Sequence, residues 1–286
     1  MKEINQLIHI TDEFEKLKSI LTNGLYTSYA KETFANRSLL IPMISFSNIL
    51  FRDLGEEEVV DYGSYGIVIE RDYGINELKL NPVIYVYEDS VIESAIKDNL
   101  QFSILPQTLE FIKEFYKNCN CDEITKFINF NPLPSEIKDL INNVDSNTKS
   151  ELIIAIKKTF EKIFENSQNQ FLLAKPFKVK RNNNDVKIAY NEREWRKSFF
   201  DLSYIYELDA KGQKNEDFIL WKNLKKPHFK DIEHTLKIPI DKIKYIFVKD
   251  ENEIELLKTD INLLSNNENL IIDTLENLKN TEIQIK

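Results

Sequence analysis

The sequence is poor in glycine, cysteine, histidine and long apolar runs, and each shortage removes a class of function. Only 6 of its 286 residues are Gly, and no G-x-G-x-x-G or Walker pattern is formed. Backbone cradles for dinucleotides or phosphates of those types are therefore excluded. Cysteine is confined to Cys119 and Cys121. A Cys-x-Cys pair without further Cys or nearby His cannot complete a zinc site, and a bridge between such close neighbours is strained. Two reduced thiols are expected. The three histidines, His9, His228 and His234, show neither His-x-x-x-His nor Glu-x-x-His spacing, so no metal site is expected. A G-x-S-x-G elbow is also lacking, which removes the serine-hydrolase reading. No stretch approaches the roughly 20 apolar residues of a membrane helix, and Met1 to Ile10 carry no secretory pattern. A cytoplasmic protein with no membrane partner is the expectation. Positive charge is the minority sign: 38 Lys and Arg against 47 Asp and Glu leave a net charge of -9. Such a surface repels phosphate, so nucleic acid is not an expected partner.

What is present is ordinary for a globular chain: 42% hydrophobic and 30% charged residues. No repeat or Gly/Ser linker divides it, and a single domain over 1-286 is expected. Its parts are a first half of an α/β core (1-88), a helical insertion (89-168), a second half of the core (169-250) and C-terminal helices (251-286). Gln6 to Thr11 reads as a short apolar strand. Asp12 with Glu15 reads as a capping box before a helix carrying Phe14, Leu17, Ile20 and Leu21. Asn23-Gly24 predicts its left-handed end. Strands are predicted at Leu40 to Phe46, after the turn that opens Tyr62 to Glu70, and, buried, at Pro82 to Tyr87.

Helical spacing then dominates Ile92 to Leu100, Leu109 to Tyr116, Ile137 to Ile141 and Glu151 to Phe164, with a break at Pro132 and Pro134. Strands resume at Phe171 to Val179 and Val186 to Trp195, around a hairpin tip at Arg181 to Asp185. A buried strand at Tyr245 to Lys249, an amphipathic helix at Glu251 to Leu264 and a helix from Asn269 complete the chain. Mixed strands separated by helices make the fold class α+β.

The densest chemistry lies in Tyr190-Asn191-Glu192-Arg193-Glu194-Trp195-Arg196. Strand alternation would place Glu192, Glu194, Tyr190 and Arg196 on one face. Two carboxylates so close need a cation between them. They form either an ion-paired structural strand, neutralised by Arg193, Arg196 or Lys197, or a pair poised against developing positive charge, as at a glycosidic bond. His9 is either a satisfied core histidine or a ligand-orienting donor, with Thr11 on its face. Ser45-Phe46-Ser47 places two hydroxyls on one side of a strand end, either as caps or as a site wall. Tyr62-Gly63-Ser64-Tyr65-Gly66 uses two of the scarce glycines, which predicts a tight turn or close backbone approach. Lys222 to Lys230 reads as a solvated Lys-rich loop.

Taken in order, His9-Ile10-Thr11, Leu17 to Leu25, Ile41-Pro42 to Ser47, Tyr62 to Ile69, Asn81 to Tyr87 and Glu192 to Arg196 resemble the AbiGi-type abortive phage-infection family. That resemblance implies an antitoxin of a two-gene system, with a cognate toxin or a phage protein as partner. The same strands are similar, more distantly, to ADP-ribosyltransferases, which implies a mixed split-sheet core and NAD as substrate. On that likeness Glu194 would stabilise the ribosyl cation and Glu192 would orient the acceptor. His9, beside Thr11, would contact the adenosine ribose; Ser45 and Ser47 would order the site; Tyr62 or Tyr65 would stack on nicotinamide. Two functions are thus expected in competition: an anti-phage ADP-ribosyltransferase or NAD glycohydrolase, and a non-catalytic antitoxin or sensor.

Overall fold

The computed structural model describes residues 4-34, 37-102, 145, 173-180, 186-199, 202, 204-208, 213-223, 228-229, 233-260 and 270-284. Residues 1-88, 172-209 and 214-286 form one compact unit, and 89-171 with 210-213 form a second. Of the second unit, helix α4 (Val91–Phe102) is described. It starts as the sequence Ser90-x-x-Glu93 dictates: Ser90 Oγ accepts the Glu93 N–H at 3.1 Å, and Glu93 Oε2 accepts the Asp89 N–H at 2.7 Å. The further helices expected there, the Pro132–Pro134 break, and Cys119 and Cys121 lie outside the described residues, as does the hairpin tip at 181-185.

The first unit is built on an eleven-stranded mixed sheet. Its spine consists of β1 (Leu7–Thr11), β2 (Leu25–Phe34), β3 (Arg37–Ser47), β4 (Tyr65–Ile69), β14 (Ile243–Val248) and β15 (Ile271–Thr274). Period-two alternation sorts these strands between two cores. Leu7, Ile67, Ile69, Ile246 and Val248 pack on one face with Leu17 of α1 (Phe14–Asn23) and Leu257 of α6 (Glu251–Asp260). Their neighbours Ile8, Val68 and Phe247 pack on the other face with Phe51, Leu54 and Leu275 and Leu278 of α7 (Leu275–Gln284). Burying each such side chain contributes about 1.5–3 kcal/mol. The apolar runs YGIVI and IKYIFV are central because both of their faces are covered.

Strand β3 organises the site. On one edge it pairs with β1 through Ile8–Ser47 and with β2 from Ser28–Met43 onward. On the other edge it pairs with β10 (Glu194–Ser198) and β11 (Ile205–Tyr206). β1 and β2 thus share an edge but leave a gap opposite Ile44 to Phe46. Shorter strands complete the picture: β5 (Asn81–Pro82), β6 (Ile84–Val86), β7 (Ala174–Pro176), β8 (Lys178–Lys180), β9 (Val186–Ile188), β12 (His228–Phe229) and β13 (Thr235–Leu236). Helices α2 (Glu56–Tyr62), α3 (Arg71–Asn76) and α5 (Glu216–Asn223) bring the described helices to seven.

Several expectations are corrected. β2, which the sequence reading passed over, is ten residues long and forms a hairpin with β3. Helix α1 begins after Glu13 without a side-chain cap, and Asp12 instead accepts Lys16 Nζ at 2.7 Å. Gly24 ends it at φ 94 and ψ 177, a positive φ but not the left-handed helical cap. Pro82 to Tyr87 is two short strands with Ile84 and Tyr87 each 56% exposed, not one buried strand. The tail from Asn269 first forms β15, parallel to β14, before α7 begins. Of the Lys-rich stretch 222-230, His228–Phe229 pairs with β2, while 224-227 and 230 lie outside the described residues.

The two scarce glycines do permit close approach. Gly63 has φ 106, and a Cβ there would lie 2.2 Å from the Thr11 carbonyl oxygen. At Gly66 a Cβ would meet the His9 carbonyl oxygen at 2.1 Å and the Phe247 ring at 2.5 Å. Backbone oxygen cannot swing away, so Gly66→Ala should cost about 3 kcal/mol. The check is the urea midpoint, which should fall without a change in slope; an unchanged midpoint would mean that β1 and β4 are less tightly apposed.

Candidate functional site

A cavity of about 320 Å³ opens on the β3 face that carries Met43, Ser45 and Ser47. The register sets Glu194 and Arg196 of β10 beside Ser47 and Ser45 on that face. Glu32 of β2 is lined up on the same face two steps beyond Ala30. The cavity is closed by the end of α2, by β7 through Lys175, and by the β8–β9 hairpin through Val179 and Lys187.

Three cations and four carboxylates meet here. Arg196, fully buried, donates through Nε to Glu194 Oε1 at 2.7 Å, through Nη1 to the Ala174 carbonyl at 3.2 Å, and through Nη2 to Glu194 Oε2 at 3.2 Å and to Glu32. Lys175 Nζ bridges Glu192 Oε2 at 2.5 Å and Glu194 Oε2 at 2.7 Å. Lys187 Nζ pairs with Glu192 Oε1 at 3.0 Å and with Asp61 at 2.9 Å. Tyr62 donates to Glu192 Oε1 at 2.7 Å, with the Lys187 ammonium 4.9 Å above its ring centroid. Tyr85 Oη accepts the Glu194 backbone N–H at 2.7 Å. Both oxygens of Glu192 and of Glu194 are therefore occupied from within the protein.

The protonation states follow from burial and these partners. Burial alone would raise Glu194, but Arg196 and Lys175 overcome it and hold the carboxyl at about 2. The same contest leaves Glu192 lowered, chiefly by Lys175. Burial wins at Glu32, which is raised despite Arg196. Burial opposes the Lys175 ammonium, yet Glu194, Glu32 and Glu192 raise its pKa. Burial and then Glu192 push the Tyr62 hydroxyl up; burial likewise raises Tyr85, to about 12.

His9 fills the gap between β1 and β2. Its Nδ1 lies 2.8 Å from the Ser45 carbonyl oxygen. A carbonyl only accepts, so Nδ1 carries the hydrogen. Burial lowers the His9 pKa, so the ring is neutral near pH 7 and Nε2 keeps its lone pair. The ring also packs on Phe46, with centroids 5.5 Å apart.

The structure brings His9, Ser45, Ser47, Tyr62, Glu192 and Glu194 to one cavity. Thr11 and Tyr65 are not among its lining residues. Thr11 is buried beside Asp12, with its hydroxyl 3.5 Å from Asp12 Oδ1. Tyr65 sits in the core and donates to Glu253 on α6 at 2.9 Å. The strand expected over Val186 to Trp195 is interrupted by a 3-10 turn at Ala189–Glu192 and by Arg193 at φ 43. This break, rather than strand alternation, puts Glu192 and Glu194 on the same cation. Arg196 and Lys175 neutralise Glu194, and Lys175 and Lys187 neutralise Glu192; Arg193 is exposed, and Lys197 alternates to the opposite face. Sequence reasoning missed Glu32, Asp61, Lys175 and Lys187. The available signal was a single lysine in each of the apolar segments Leu172 to Phe177 and Val186 to Ile188. Among the described residues no group of three His, Cys, Asp or Glu side chains is placed to hold a metal, and no helix is long and apolar enough to cross a membrane.

A pH dependence follows. Glu192 and Glu194 are depressed below 4.5, so the stability they bring is full above that pH and lost as pH falls through their lowered values, about 2 for Glu194. Glu32 works in the opposite sense, its contribution being lost as pH rises through its raised value. Glu194→Gln should destabilise by about 3–5 kcal/mol at pH 7, because Arg196 and Lys175 lose a buried partner. Urea midpoints between pH 5 and pH 3 should fall steeply in the wild type and more shallowly in the variant; parallel acid limbs would show that Glu194 is not the linked group.

The family model "Putative abortive phage resistance protein AbiGi, antitoxin" matches residues 23–249. The match includes every charged residue of the cavity network and begins after His9. No curated protein and no solved structure matches the chain. With most of its length covered by that model, the chain belongs to the AbiGi family.

Proposed function

We propose that this chain is the antitoxin of a toxin–antitoxin pair acting in abortive phage resistance, and that it neutralises its cognate toxin by binding it. The family match supports the role. The observation that carries the binding mode is the condition of Glu194: 7% exposed, with both oxygens held by Arg196 and Lys175. A carboxylate that stabilises a transition state must be free to meet developing charge. This one is already neutralised, as are Glu192 and the lysines beside it. The cavity network is then the structural core of a binding scaffold.

One observation favours the ADP-ribosyltransferase-like, NAD-using reading: His9, Ser45, Ser47 and Glu194 converge on one cavity. The experiment separates the two readings. Co-expression of this chain with the toxin of its gene pair should restore growth, and tagged chain should retain the toxin on a column. Purified chain incubated with labelled NAD and cell lysate should release no nicotinamide and transfer no label. Nicotinamide release abolished by Glu194→Gln, or toxicity unrelieved by the chain, would overturn the proposal.

A further inference from the structure

The β8–β9 hairpin has a second face that the cavity does not use. Lys178 pairs with Ile188 and Val179 with Lys187 across it. Alternation gives Val179 and Lys187 to the cavity, while Lys178, Val186 and Ile188 are exposed, the last two at 54% and 42%. The Ala189 N–H donates to the Phe177 carbonyl at 2.9 Å, which holds the hairpin against a run of aromatic rings. Tyr87 stacks on Phe177 with centroids 4.0 Å apart and planes at 19°. Phe177 stacks in turn on Tyr190 at 5.9 Å. Tyr87 and Tyr190 remain 56% and 53% exposed.

Single exposed apolar side chains need no explanation, but a joined patch of them marks a contact surface. Tyrosines already held by stacking lose little freedom when covered, and such rings are the usual anchors of protein interfaces. The patch has a polarity as well. Lys178 is exposed at its hairpin end, a basic group on a chain of net charge -9, and Glu88 is exposed at the Tyr87 end.

We infer that this patch is the docking surface for the toxin, and that it receives a toxin segment whose apolar or aromatic side chains are flanked by Asp or Glu where they meet the hairpin. The inference rests on the antitoxin reading. A nucleic-acid occupant fits less well: the rings spend faces on one another, Val186 and Ile188 offer bases no stacking surface, and the net charge repels phosphate.

The test is calorimetric titration of the toxin into wild-type chain and into Ile188→Glu, Lys178→Glu and Tyr87→Ser, with Leu256→Glu on α6 as a control at an equally exposed site (55%). Each patch variant should bind at least about ten-fold more weakly, with an unchanged melting midpoint. The Lys178→Glu loss should shrink at high salt. Leu256→Glu should bind as wild type does. With three patch variants, a folding failure in one leaves two to decide. Equal binding by wild type and patch variants overturns the docking surface and leaves the antitoxin reading standing; no binding by the wild type overturns both. Patch-dependent binding of a 12-mer oligouridylate would overturn the protein occupant.

Discussion

The buried guanidinium of Arg196 is the constraint around which the charged network of the first unit is arranged. It emerges from β10 and bonds Glu194 on its own strand, Glu32 on β2 and the Ala174 carbonyl on β7. Three segments far apart in sequence are thereby tied to one planar, permanently charged group. A charge with no exposure to water is tolerable only when every partner is present. That condition recruits the others: Glu194 needs Lys175, Lys175 brings Glu192, and Glu192 brings Lys187 and the Tyr62 hydroxyl. The end of α2, β7 and the β9 hairpin are each attached to the sheet by a link in this series.

The same series explains why a cavity exists without an open reactive group inside it. β1 and β2 diverge along one edge of β3, and the gap would leave backbone without ladder partners. His9 supplies a substitute donor to the Ser45 carbonyl, which fixes the imidazole, while burial keeps it neutral. The glycines at 63 and 66 let the turn before β4 and β4 itself come within contact of β1, so the gap does not spread. The hollow follows from sheet geometry, and its charges compensate one another. The face turned outward from the same hairpin is apolar, aromatic and basic, which suits recognition of a protein partner.

Much of this was legible in the chain, and the failures have physical causes. Strands with apolar residues on both faces, β1, β4 and β14, announced themselves because burial on both sides keeps them predominantly apolar. Glu192-x-Glu194 with Arg196 was visible as a charge cluster demanding mutual neutralisation. β2 was hidden because its burial phase shifts along its length: Leu25, Thr27 and Tyr29 are buried, then Glu32 and Phe34, as different layers cover it. Lys175 and Glu32 were invisible because their value lies in contacts across 19 and 164 residues, to Glu194 and Arg196 respectively, and local spacing carries no trace of them. The ADP-ribosyltransferase likeness offers Tyr65 as a ring to stack on nicotinamide, yet strand alternation sets it in the core with Ile67 and Ile69.

The central claim is that the carboxylates of the cavity serve the fold and leave the neutralisation of the toxin to the outer surface. Buried ion triads of this kind can be replaced by apolar residues of similar size with little loss of stability. The most direct measurement is toxin neutralisation in growing cells by the triple variant Glu32→Leu, Glu194→Leu, Arg196→Met, in which Lys175 retains Glu192. Growth restored as by the wild type is the predicted result. A variant that melts cooperatively near the wild-type midpoint but no longer restores growth would contradict the account.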